Sequence, residues 1–333
     1  MSLLMIGLPG PTLDADSRRW LSAPQVVGAI LFARNIESRE QLEAFNAEMR
    51  RFRPELLLAV DQEGGRVRRL REGWLPLPPL ADLGALWARD PSLARRAVRL
   101  HAELMALEVR ASGFDLSFAP VADVAGGNAC IGDRALHADP EIAARLVALY
   151  VARQQACGMA ATLKHFPGHG AVSADSHHDL ATDDRPWEAI VADLLPFAAG
   201  IEAGARAVMM AHVAVPAIDP QIAGASARWI GLLRQQLGFR GAIVSDDLAM
   251  LGAAAVGELP ERLQAHAQAG CDLLLACDPQ QVDEALRLTD ALPRPARWPL
   301  AIRRLRASQR PLPPPAADLQ DRWNRLQELL TDE

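Results

Sequence analysis

Cysteine is scarce in this chain, basic charge is not in excess, and no leader is legible at its start. Only four of 333 residues are cysteine (Cys130, Cys157, Cys271 and Cys277) and no two form a CxxC pair. A disulfide scaffold is therefore not indicated, and a reducing, cytoplasmic setting is expected. The formal net charge of -6 gives no electrostatic grip on nucleic acid or anionic lipid, so neither is an expected partner. The opening MSLLMIGLPGPTLDAD lacks the basic start and long apolar centre of a signal peptide, its apolar run being broken by Gly7 and Pro9. Nowhere does an apolar run approach membrane-spanning length. Also missing is a G-x-G-x-x-G turn after an early strand, the dinucleotide fingerprint of an open doubly wound sheet.

What is present is the composition of a globular protein, half hydrophobic and 23% charged, and long enough for one large core or two modest ones. Small-molecule chemistry is the class this leaves. Eight short apolar runs recur along it: LLMIGL (3 to 8), GAILFA (28 to 33), ELLLAV (55 to 60), DLSFAP (115 to 120), MAATLK (159 to 164), AVMMAH (207 to 212), GAIVSD (241 to 246) and DLLLAC (272 to 277). Between them lie longer stretches with helical spacing. Continuous rather than alternating hydrophobicity suits parallel strands buried on both faces, and eight strand-then-helix units suit a single (β/α)8 barrel. The doubly wound sheet is the alternative, disfavoured because polar residues gather at the C-terminal ends of many runs, where a barrel builds its active site. The barrel is expected over 1–310, followed over 311–333 by a proline-rich spacer and a C-terminal helix packed on its outside. A monomer is expected.

Long connections follow the third, fourth and fifth runs, the first of them holding a helix around Pro91 to Ser112, and long loops at one barrel face commonly carry function. GFRGAIVSDDLAM places Ser245, Asp246 and Asp247 at the end of the seventh run, where a carboxylate projects into the barrel mouth. One can be a nucleophile. A strand-end aspartate is equally a helix cap, and two adjacent ones allow both roles.

The densest cluster is KHFPGHGAVSADSHHDL, with Lys164, His165, His169, Asp175, His177 and His178 inside fifteen residues and Gly168, Gly170 and Pro167 favouring a loop. Asp175 and His177 are two apart, so in an extended loop the carboxylate can hold one ring nitrogen while the other faces a substrate, an oriented general acid/base. An exposed loop histidine beside a turn aspartate is the bland alternative. In AVDQEGGRVRRL, Asp61 and Glu63 precede Gly64 and Gly65, so acids can accept hydrogen bonds from hydroxyls close to the backbone, with Arg69 behind. Such a turn is also commonly structural. Arg134, in IGDRAL, offers a planar fork of donors for sugar oxygens, a weak signal alone, and Asp123 can act or simply brace its loop. The cysteines have no histidine partner and are taken as packing residues.

Together DQEGGRV (61 to 67), IGDR (131 to 134), KHFPGHG (164 to 170), DSH (175 to 177) and SDDLAM (245 to 250), in that order on successive strand ends, resemble the family 3 glycoside hydrolases. The closer resemblance is to their single-domain bacterial branch, the β-N-acetylhexosaminidases of peptidoglycan recycling, over roughly residues 1 to 310. It implies that Asp246 is the nucleophile of a retaining mechanism, that His177 is the acid/base, oriented by Asp175, and that Asp61, Arg69, Arg134, Lys164 and His165 bind N-acetylglucosamine. The implied substrate is this sugar β-1,4-linked to 1,6-anhydro-N-acetylmuramic acid, with or without peptide, and no cofactor or metal is implied. The chain departs from the pattern at Leu251, where close relatives often carry an acid.

Three other functions compete with this one. A metal-dependent hydrolase would take His165, His169, Asp175, His177 and His178 as ligands, but almost all would come from one loop. A non-catalytic sugar binder would be expected to have lost Asp246 or His177, and a phosphate-binding barrel to carry a glycine-rich loop after the seventh or eighth run.

Overall fold

The computed structural model describes residues 4–172, 181–289, 298–307 and 316–331. Eight parallel strands form its centre: β1 (Leu4–Gly7), β2 (Val26–Leu31), β3 (Leu57–Val60), β4 (Leu116–Ser117), β5 (Thr162–Phe166), β6 (Ala207–Met210), β7 (Ala242–Asp247) and β8 (Leu273–Ala276). Their order in the sheet runs β4, β3, β2, β1, β8, β7, β6, β5, so the first and last strands of the chain are neighbours, with Leu4 opposite Leu274. The ring closes between β4 and β5 through a bridge of Val121 to Lys164 and the Thr162 N–H donating to the Ala119 carbonyl at 2.8 Å. This is the (β/α)8 barrel expected from the sequence.

Each strand is followed by an outer helix: α1 (Ala15–Ser22), α2 (Arg39–Phe52), α3 (Pro91–Ala111), α4 (Pro140–Ala156), α5 (Leu195–Glu202), α6 (Ala227–Gln235), α7 (Leu259–Ala269) and α8 (Val282–Thr289). Their starts are set locally. Asp90 and Asp139 each cap the helix that the next residue, a proline, begins, their carboxylates accepting N–H groups of the first turn. Ser38 and Ser226 do the same for α2 and α6. Strand residues such as Leu58, Val208, Ile243 and Leu274 have no exposed surface, because the barrel interior is filled on one side and the helices cover the other.

The apolar runs mark the strands to within about two residues, except that β4 is shorter and the fifth run is displaced. MAATLK suggests 159 to 164, whereas the strand runs Thr162–Phe166 and includes Lys164 and His165. The two polar residues are strand, not loop, so they are held by the sheet itself. The C-terminal helix Ala316–Thr331 lies against α3, burying Trp323 and Leu326 and pairing Arg322 with Glu103. Residues 308 to 315, with most of the proline-rich spacer, lie outside the described residues. Among the described residues no helix is long and apolar enough to cross a membrane.

Candidate active site

The strand ends bring Asp61, Asp123, Lys164, His165, His212 and Asp246 to one mouth of the barrel. At the end of β7 the side chains divide. Ser245 is buried and its hydroxyl accepts the Leu275 N–H of β8 at 3.0 Å. Asp247 Oδ1 accepts the Ala249 and Cys277 N–H groups at 3.0 and 3.1 Å, so this carboxylate braces the turn and the neighbouring strand. Among the described residues Asp246 accepts only the Asp247 N–H, at 2.8 Å, and it lines two adjoining cavities. Burial pushes both acids up, but with opposite results. Around Asp246 the neighbouring His165 and His212, the Asp247 N–H and the Lys164 ammonium outweigh burial and hold the carboxyl below its usual value. At Asp247 the two N–H donors do not offset burial and the repulsion of Asp246, and the acid lies above it. Of the pair, Asp246 is the acid whose charged form its surroundings favour, and among the described residues it is not committed to bracing the fold.

Across the mouth, Glu63 organises the cations. Lys164 Nζ lies 2.6 Å from its Oε1 and 3.1 Å from Asp61 Oδ1, and Arg134 grips Glu63 with two bonds of 2.8 Å. Glu63 and Lys164 are nearly inaccessible, at 2% and 3% side-chain exposure. Burial opposes the charge on each. Lys164 and Arg134 nevertheless hold Glu63 far below the usual carboxylate range, and Asp61 and Glu63 raise Lys164 above the usual ammonium value. Arg69 approaches Asp61 at 3.5 Å and lies over the Phe32 ring, and its Nε–H is buried without a hydrogen-bond partner. The turn that carries Asp61 and Glu63 needs its glycines. Gly64 and Gly65 have φ of 118° and 54°, and a Cβ on Gly64 would lie 2.3 Å from the Pro78 carbonyl.

His165 is oriented from behind. Its Nδ1 lies 2.8 Å from Asp123 Oδ2, and Asp123 Oδ1 accepts the backbone N–H groups of His165 and His169. With Nδ1–H committed to Asp123, the His165 Nε2 faces Arg134 Nη2 at 3.4 Å. Burial raises Asp123, but the neighbouring His165 and these donors bring it below its usual value. His169 is held by Asn128, whose Nδ2 reaches both its Nδ1 and its carbonyl oxygen. His212, at the end of the sixth run, directs Nε2 to the Asp247 carbonyl at 2.9 Å.

Two cavities of about 250 Å³ each meet at Asp246, His165, Arg134 and Met250. The lining of the first combines the polar side chains of Asp61, Glu63, Arg69 and Lys164 with the apolar ones of Phe32, Phe118 and Leu275. Donors and acceptors together with apolar surface suit a pyranose, whose hydroxyls both donate and accept while its C–H face is apolar. Among the described residues no group of three or more His, Cys, Asp or Glu side chains is placed to hold a metal ion.

Six of the eight site residues read from the sequence, Asp61, Arg69, Arg134, Lys164, His165 and Asp246, line the first cavity. Asp175 and His177 lie outside the described residues, 173–180. Arg134 spends much of its fork on Glu63 rather than leaving it free. The roles of Glu63 and Asp123 as organisers, and the place of His212 and Asn128, were not legible. One signal was available: Lys164 is the only lysine among 35 lysine and arginine residues, at a position where a compact ammonium fits between Asp61 and Glu63.

The family model of the glycosyl hydrolase family 3 N-terminal domain matches residues 2–297. A β-hexosaminidase of Stenotrophomonas maltophilia (strain R551-3) is 53% identical over 287 residues, covering 85% of this chain and 86% of its own length. Among solved structures, NagZ from Neisseria gonorrhoeae in complex with N-trifluoroacetyl-D-glucosamine superposes with a TM-score of 0.90 at 36% identity, covering 99% of this chain and 98% of that one. A glycoside hydrolase family 3 β-N-acetylglucosaminidase from Paenibacillus sp. str. FPU-7 gives 0.86 at 32% identity, covering 98% of this chain and 67% of that one.

Proposed function

Because this chain belongs to glycoside hydrolase family 3, we propose that it is a retaining exo-β-N-acetylglucosaminidase that uses Asp246 as nucleophile. Its substrate is N-acetylglucosamine β-1,4-linked to 1,6-anhydro-N-acetylmuramic acid, with or without peptide, from turned-over cell wall. The enzyme works as a monomer in the cytoplasm, where its four cysteines stay reduced. The observation that carries the reading is the contrast between the two aspartates of β7: Asp247 braces its turn and the neighbouring strand, while Asp246, whose charged form its surroundings favour, lies on the wall common to both cavities.

The terminal sugar lies in the first cavity, with Asp61, Arg69, Arg134, Lys164 and His165 as hydrogen-bonding partners. The unpartnered Nε–H of Arg69 and the Nε2 of His165 are groups a sugar oxygen can engage. The solved relative bound to N-trifluoroacetyl-D-glucosamine supports an N-acylated glucosamine there. Asp246 attacks the anomeric carbon, displacing the leaving oxygen and forming a glycosyl ester; water then attacks the same carbon and releases the carboxylate. His177, oriented by Asp175, donates the proton to the leaving oxygen and takes one from the attacking water. Support for that assignment is the sequence pattern DSH and the place of its flank: Ala181, the first described residue after it, lines the second cavity.

Incubation of the purified enzyme with the anhydro disaccharide, followed by mass spectrometry, tests the substrate. Free N-acetylglucosamine and 1,6-anhydro-N-acetylmuramic acid are expected, with kcat/KM above that for chitobiose. An enzyme that cleaves chitobiose and leaves the anhydro disaccharide intact would refute the substrate and keep the chemistry.

A further inference from the structure

The neighbouring strands β6 and β7 stop pairing before Asp246 is reached. Ala242 pairs with Ala207, Ile243 with Val208 and Val244 with Met209, and no pair follows among the described residues. Asp246 and Asp247 thus lie on a strand end that the β6 backbone no longer holds. His212 stands three residues beyond Met209, as Asp247 stands three beyond Val244, so it occupies the place in register where the ladder would continue. Its side chain makes the bond that the backbone does not. Nε2 lies 2.9 Å from the Asp247 carbonyl, which can only accept, so the Nε2–H donates.

The imidazole is fixed for this task. The chain on either side of it is tied down, the Ala211 N–H donating to the Phe166 carbonyl and the Ala223 N–H to the Val213 carbonyl, both at 2.8 Å. The side chain is buried, and Gly252 packs so closely that an added Cβ would come 3.0 Å from the His212 Cβ. The His266 ring of α7 stands at 89° to it, with centroids 5.5 Å apart. His266 donates its Nδ1–H to the Arg262 carbonyl at 2.8 Å, and burial pushes its ring down to about 3, so it packs as a neutral wall. From the β8 side the strand end is held by the Leu248 N–H on the Leu275 carbonyl, at 3.0 Å, and by the Cys277 N–H on Asp247 Oδ1. With His212, residue 247 is therefore strapped from both neighbouring strands, and so is the N–H that Asp246 accepts.

We propose that His212 is a positioning residue for the nucleophile: its bond to the Asp247 carbonyl replaces the missing β6–β7 ladder and sets where the Asp246 carboxylate meets the anomeric carbon. The inference rests on the glycosidase reading of Asp246. His212 lines the second cavity and not the first, so it governs how Asp246 reaches the carbon and not how the terminal sugar is held. Its loss falls on kcat, because displacing a reacting group by about 1 Å can cost about 100-fold in rate.

The test compares His212→Phe, which keeps a ring and removes the donor, with His212→Gln, whose amide N–H has a reach similar to that of Nε2. On an aryl β-N-acetylglucosaminide His212→Phe should lose about 10- to 100-fold in kcat, while N-acetylglucosamine as a competitive inhibitor binds within about twofold of the wild type. His212→Gln should recover most of the lost kcat. A general loosening of the fold would weaken inhibitor binding together with the rate and would not be rescued by an amide. Where His212→Phe does not fold, His212→Asn, whose amide stops short of the carbonyl, takes its place beside His212→Gln. Three results overturn the proposal and leave the glycosidase reading intact: a variant without the donor that keeps kcat within about threefold of wild type, inhibitor binding that falls in step with kcat, or no rescue in His212→Gln. A wild type that hydrolyses no β-N-acetylglucosaminide overturns that reading and the proposal with it.

Discussion

Lys164, the only lysine of the chain, places its ammonium 2.6 Å from the Glu63 carboxylate, and both are buried. The same carboxylate takes both arms of Arg134, so one acid neutralises two cations of the first cavity. Glu63→Gln keeps the shape and removes the charge, leaving Lys164 with Asp61 alone and Arg134 without its anionic partner. Breaking a buried ion network from one side costs about 3–5 kcal/mol. The denaturant midpoint should fall accordingly with an unchanged slope, and kcat/KM should drop as both cations reorient. A midpoint within about 1 kcal/mol of the wild type would show that Glu63 does not organise the site.

Asp123 to His165 is the second such relationship. Asp123→Asn can still accept the two backbone N–H groups at one oxygen, but its amide then meets the His165 Nδ1–H as donor against donor. The ring must flip its tautomer or turn, and Nε2 is no longer presented as an acceptor beside Arg134. The expected outcome is a folded enzyme whose kcat/KM is lower by about 10- to 100-fold, by analogy with loss of the outer partner that orients a metal-bound histidine. Near wild-type kcat/KM would place His165 outside substrate recognition.

These relationships mark what was and was not legible in the sequence. The eight apolar runs found the strands because strands buried on both faces are hydrophobic throughout, as in VVGAIL of β2. The fifth was displaced because the strand continues past Lys164 through His165 and Phe166, polar residues and a Pro-Gly turn close behind them hiding its true end. The division of labour between Asp246 and Asp247 follows in the sequence only from the family resemblance and not from spacing, since it depends on the Cys277 N–H of another strand's end. Glu63 and Asp123 were noticed as acids but not as organisers: their partners, Lys164, Arg134 and His165, are distant in sequence, and pattern reading has no access to such pairing.

Glu108 gives the protein a pH-dependent stability unrelated to catalysis. It is buried in α3, accepts the Leu75 N–H, and burial pushes its acid up to about 7 against that hydrogen bond and Arg39. The folded value lies above the 4.5 of the unfolded chain, so the folded state binds this proton more tightly. Its stabilisation is complete below about pH 4.5 and is lost as pH rises through 7. Glu108→Gln removes the titration. The melting temperature of the variant relative to wild type should therefore rise between pH 4.5 and 7.5, by an amount corresponding to at most about 3 kcal/mol. A difference that does not change with pH would contradict it.

The central claim is that Asp246 forms the covalent intermediate, and the anomer of the first sugar released tests it most directly. Hydrolysis of an aryl β-N-acetylglucosaminide followed by proton NMR from the first turnovers should show the β-anomer before mutarotation, and Asp246→Asn should lose about 10³-fold or more in kcat. An α-anomer formed first, or an Asp246→Asn enzyme that keeps its activity, would contradict the account.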